Sequence, residues 1–117
     1  MRGISLNPDQ GASQNLASNP LSFTAVYNKS YKLEQVIFHF SVAVSETVTI
    51  TLLSGLGTAY NTVLQQVVLS NQTDLVWRPQ GEANFLAVDE IKVQCTNGGG
   101  VGTVGCIVKT SGLGSGR

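Results

Sequence analysis

Charge is scarce in this chain. Seven Lys and Arg stand against seven Asp and Glu in 117 residues, so charged residues reach only 12% and the net charge is zero. That is about half the usual charged share. Scattered cations with no net positive charge leave no electrostatic footprint for nucleic acid, and no nucleic-acid partner is expected. Cysteine is limited to two residues, which excludes a disulfide-dense miniprotein. One histidine and two cysteines lack metal-ligand spacing, so no metal and no cofactor are expected. No apolar run approaches the roughly 18–20 residues of a membrane helix, and no membrane partner is expected. The opening Met-Arg-Gly-Ile-Ser-Leu-Asn-Pro-Asp-Gln lacks an apolar signal core, so the chain is read as made in a cytoplasm. In that setting the triplets Asn28-Lys29-Ser30 and Asn71-Gln72-Thr73 are read as chance matches to a glycosylation site.

What is present is apolar content, at 42%, with many Val, Thr, Ser, Asn, Gln and Gly. Low net charge with this much apolar content argues against overall disorder. A chain of this length forms one domain and buries roughly two-thirds of its unfolded surface. Zero net charge gives little colloidal repulsion and favours association, so a homo-oligomer is expected.

Residues 1–22 read as an extended N-terminal arm, because polar residues and the breakers Pro8, Gly11 and Pro20 leave no apolar period. Residues 111–117, Ser-Gly-Leu-Gly-Ser-Gly-Arg, read as a flexible tail. Between them, residues 23–110 read as the folded domain, and the period there is two. Val36, Phe38, Phe40 and Val42 alternate with Gln35, Ile37, His39 and Ser41. Val48, Ile50 and Leu52 alternate with threonines; Ile91, Val93 and Cys95 and then Val104, Cys106 and Val108 repeat the pattern. Further strands are read at Val63–Leu69, Leu75–Trp77, Phe23–Tyr27 and Ala83–Leu86. Turn signals separate them, including Gly55-Leu56-Gly57, Arg78-Pro79-Gln80-Gly81 and Asn97-Gly98-Gly99-Gly100. About eight short strands with regular turns predict an all-β fold, an antiparallel β-sandwich or jelly roll.

Candidate chemistry is thin. His39 lies on the strand face opposite Phe38 and Phe40, with no nucleophile motif around it, and reads as a surface histidine. Cys95 and Cys106 flank a glycine-rich hairpin that sets them opposite each other on adjacent strands. They read as buried apolar-like thiols; a disulfide formed in an oxidising medium is the alternative. Asp89-Glu90 is the one adjacent acidic pair, and neighbours on an extended segment point to opposite faces, so it reads as a turn rather than a glycosidase pair. The Gly55–Gly57 and Gly98–Gly100 runs lack the strand-to-helix context of a phosphate loop. No catalytic set emerges, so the chain is read as non-enzymatic. Trp77 reads as core, and Trp77 with Tyr60, Tyr31 and Tyr27 forms a sugar-stacking platform in the alternative reading.

The segment Thr73-Asp74-Leu75-Val76-Trp77-Arg78-Pro79-Gln80-Gly81, then Phe85–Val93 and Thr96-Asn97, resembles small β-sandwich virion proteins of tailed bacteriophages. Tyr31–Val36, Thr49–Thr51 and Gly57–Leu64 extend the resemblance over about residues 31–97; Val88-Asp89-Glu90 departs from it where Gly-Asp is commoner. The resemblance implies a capsid decoration (cement) protein that docks on the phage head and stabilises it. The second reading is a carbohydrate- or receptor-binding module of a tail or spike. The implied partner is the major capsid protein or another virion protein, and the implied location is the virion surface after synthesis in the host cytoplasm. Interface residues expected on this reading are Asn7, Pro8, Gln10, Asn15 and Leu16 of the arm, with Arg78 beside Trp77.

Overall fold

A computed structural model describes residues 9–81 and 83–112. Among them are nine strands: β1 Gln10–Asn15, β2 Leu21–Ala25, β3 Tyr31–Val44, β4 Thr47–Leu53, β5 Thr62–Val68, β6 Gln72–Trp77, β7 Asn84–Phe85, β8 Glu90–Cys95 and β9 Thr103–Gly112. A short 3-10 turn, Thr58–Tyr60, precedes β5. The strands form two antiparallel sheets. Sheet A runs β1-β9-β3-β6, with β7 also on β3, and sheet B runs β2-β8-β4-β5. The expected β-sandwich is the observed fold.

Alternation builds the core. Val36, Phe38 and Phe40 from β3, Val48 and Ile50 from β4, Ile91 and Val93 from β8, and Val104 and Val108 from β9 are all at most 1% exposed. Each such side chain contributes roughly 1.5–3 kcal/mol on burial, which drives the two inner faces together. The rule breaks at Val42. The β3–β6 register shifts between His39 and Val44, and Val42 lies exposed over Gly102 while Val44 returns to the core. A second irregularity between Ile50 and Thr51 leaves Leu64 of β5 without a direct partner on β4.

Three expectations are corrected here. The segment read as an arm supplies β1, which pairs with β9 from Gln10↔Val108 to Asn15↔Thr103, and the fully buried Leu16. Leu16 is also held through its backbone, its N–H donating to Gly102 O at 2.9 Å and its carbonyl accepting from Asn97 at 3.2 Å. At the other end, β9 continues through Ser111 and Gly112, inside the expected tail. The cysteines do not share a hairpin. Cys95 pairs with Leu21 and Val48 in sheet B, while Cys106 pairs with Ala12 and Phe38 in sheet A, because the glycine-rich turn crosses between sheets.

That crossing is anchored by Glu46. Its carboxylate is 5% exposed and accepts bonds from Thr96 Oγ1 at 2.7 Å, Gly98 N at 3.0 Å and Gly99 N at 2.7 Å. Burial pushes this carboxyl up, but the Thr96 bond and the two glycine N–H bonds together outweigh it and hold it below the usual range.

Candidate functional site

The pairing registers align side chains into rows across sheet A. One outward row is Gly11–Ile107–Ile37–Val76, and the next is Ser13–Gly105–His39–Asp74. Val76 is 53% exposed and Ile107 41%, so the first row is an apolar stripe facing solvent. Gly11 and Gly105 carry no side chains, and a shallow depression of about 340 Å³ lies between them and Ile37, His39 and Ile107. Residues Thr47, Thr49 and Thr51 point out of β4, so the outer face of sheet B has a hydroxyl surface instead.

Beside the stripe, His39 Nδ1 meets Asp74 Oδ1 at 2.6 Å, and Asp74 also accepts from the Thr73 hydroxyl at 2.9 Å. The His39 bond, then the Thr73 bond, hold the Asp74 carboxyl below its usual range. This pair is exposed on both sides, and no nucleophile completes it among its described hydrogen bonds. Cys95 and Cys106 are buried free thiols. Burial, then the nearby Glu46 and Cys106, push Cys95 up to about 11, and burial raises Cys106 as well. Neither is poised as a thiolate nucleophile. Asp89 serves as a turn residue, as read from the sequence, accepting from Gly55 N at 2.8 Å and Leu86 N at 3.1 Å.

The two flanks of the sandwich differ. On the β1–β2 side, the Gln10 amide bridges to the Val26 backbone, donating to its carbonyl and accepting its N–H at 3.1 Å. On the opposite side, β5 and β6 leave a groove of about 720 Å³ lined by Leu64, Gln65, Trp77, Arg78 and Phe85 among others. Trp77 is therefore half-buried against the core rather than enclosed by it. Tyr60 lies 61% exposed outside that groove, so the two do not form one stacking platform.

Of the six expected interface residues, Asn7 and Pro8 lie outside the described residues. Gln10 and Arg78 sit at opposite edges of sheet A. Asn15 caps a turn, its side chain accepting from Ala17 N at 3.0 Å, and Leu16 is core. The stripe of Ile107, Ile37 and Val76 was missed. Its signal was an apolar residue on the wrong parity of each strand.

The described strands thus define a two-sheet antiparallel sandwich. The chain is similar in structure to the nucleoplasmin-like N-terminal domain of Drosophila FKBP39, with a TM-score of 0.52, 12% identity and 100% of both chains covered. It also matches the Drosophila NLP core, a structure concerned with pentamer formation and histone binding, at a TM-score of 0.41 and 13% identity over 87% of this chain and 96% of that one. No protein-family model matches, and no curated protein matches. The likeness to the FKBP39 domain overturns the resemblance to phage virion sandwiches. With it go the capsid-decoration role, the tail or spike alternative, the capsid partner and the virion location. The short turn and strand motifs behind that resemblance belong to β-sandwiches in general, and such motifs carry no role.

Proposed function

We propose that this chain is a non-enzymatic interaction module whose copies self-associate, packing through the outer face of sheet A. The observation that carries the reading is the solvent-facing stripe of Ile107, Ile37 and Val76, with Gly11 and Gly105 keeping the surface low beside it. An exposed apolar stripe rimmed by polar residues suits a protein contact. The absence of net charge leaves little long-range repulsion between copies. It also gives the chain no acidic excess for a basic partner such as a histone, so the reading rests on apolar contact.

A four-stranded face is small, roughly 14 by 20 Å from strand spacing and rise. Such a contact belongs to the weak, transient class, with association expected on the order of micromolar. Two sheet A faces packed together form an isologous pair. Sedimentation velocity over a dilution series tests this. The expected result is a mass that rises with concentration, and Ile107→Lys is expected to abolish the pairing of faces. A monomer at every concentration overturns the reading.

A further inference from the structure

Near Gln10 the rows of sheet A run from one free edge to the other without changing phase. Gln10, Val108, Val36 and Trp77 share one row, and Gly11, Ile107, Ile37 and Val76 share the next. Both edge strands are six residues long, and no described strand pairs with the far edge of either. Since β1, β9, β3 and β6 alternate in direction, β1 runs antiparallel to β6. A second copy set beside the first therefore brings its β1 antiparallel to β6 with the pleat in step. Gln10 then faces Trp77, Asn15 faces Gln72, and Asp9, preceding Gln10, faces Arg78.

The side chains agree with this placement. Arg78 is an exposed cation, and no described carboxylate lines its groove. Asp9 is an exposed anion at the start of the opposite edge, accepting a long 3.4 Å bond from Thr110 N. Val26, 55% exposed, is tied to Gln10 on the closed flank. It lies where a neighbouring copy would present the Leu64, Trp77 and Phe85 side chains of its groove.

We propose that copies of this chain also join head to tail, the β1 edge of one pairing with the β6 edge of the next, with Asp9 on Arg78 and Val26 in the β5–β6 groove. This deepens the reading of self-association by adding a second, distinct contact. Backbone bonding along an open edge supplies affinity, and the charges and groove supply register. A contact between unlike surfaces does not close on itself as a pair, so it yields rings or filaments. It also carries the stripe of Ile107, Ile37 and Val76 from one copy into the next.

The test is sedimentation velocity on the full chain, with far-UV circular dichroism to check each variant's fold. The unaltered chain is expected to grow past the dimer as concentration rises. Asp9→Arg or Arg78→Asp alone places like charges together and is expected to weaken that growth by about tenfold or more, leaving the face-paired dimer. An equimolar mixture of the two variants pairs opposite charges again at every junction and should recover the growth. Ile107→Lys should leave edge-to-edge growth in place. Unaltered protein that stops at the dimer overturns the edge contact and spares the face contact. Growth unaffected by either charge reversal also overturns the edge contact. A chain that stays monomeric throughout overturns both.

Discussion

The Glu46 carboxylate accepts the Gly99 N–H at 2.7 Å across 53 residues of sequence, tying the β3–β4 turn to the turn that crosses between the sheets. Deleting it leaves the Gly98 and Gly99 N–H groups and the Thr96 hydroxyl without this acceptor. Glu46→Ala is expected to lower stability by about 2 kcal/mol, read from urea unfolding at pH 7. The carboxyl is held below its ordinary range in the folded state. Its contribution is therefore complete above the unfolded value of about 4.3 and is lost as pH falls through the folded value. Glu46→Gln should flatten that part of the acid-unfolding curve. An unchanged curve would rule out the role assigned to this carboxyl.

Cys95 and Cys106 lie on different sheets, both buried, with Cys95 pushed up to about 11. Thiolate, the reactive form, is scarce for both at pH 8. An aromatic disulfide reagent at pH 8 is expected to label neither thiol of the folded protein within minutes and both in concentrated urea. Fast labelling of the folded protein would show that the sandwich opens on that timescale.

Gly11 sits so close to β9 that a Cβ built on it falls 2.5 Å from the Cys106 carbonyl oxygen. That oxygen belongs to backbone and cannot swing aside. Gly11→Ala should cost roughly 1–3 kcal/mol as a thermal or urea shift, the usual range for overpacking. An unchanged midpoint would mean that β1 is not seated on β9.

Much of this fold was legible because its central strands are buried on one face. The alternations at Val36–Phe40, Val48–Ile50, Ile91–Cys95 and Val104–Val108 each place the buried residues observed. The edge strand β1 was not legible. Its inward residues are Gln10, Ala12 and Gln14, two of them amides, so the segment Gln-Gly-Ala-Ser-Gln-Asn has no apolar period to detect. Periodicity also says which residues share a face but not which strand lies beside them. That is why the two cysteines were placed in one hairpin although Asn97–Gly100 crosses between sheets. Glu46 was hidden for a related reason, since its partners stand 50 residues or more away. Of the interface residues expected at the outset, Arg78 lines the β5–β6 groove, whereas the stripe of Ile37, Val76 and Ile107 emerges only when three strands are set in register.

Backbone amide hydrogen exchange, followed by mass spectrometry at low and high protein concentration, tests most directly whether copies join through the edges of sheet A. Exchange is expected to slow with concentration in Gln72–Trp77 and Gln10–Asn15, while the central strand β8 stays equally protected at both concentrations. Equal exchange of Gln72–Trp77 at both concentrations, in samples that sedimentation shows to be associated, would contradict it.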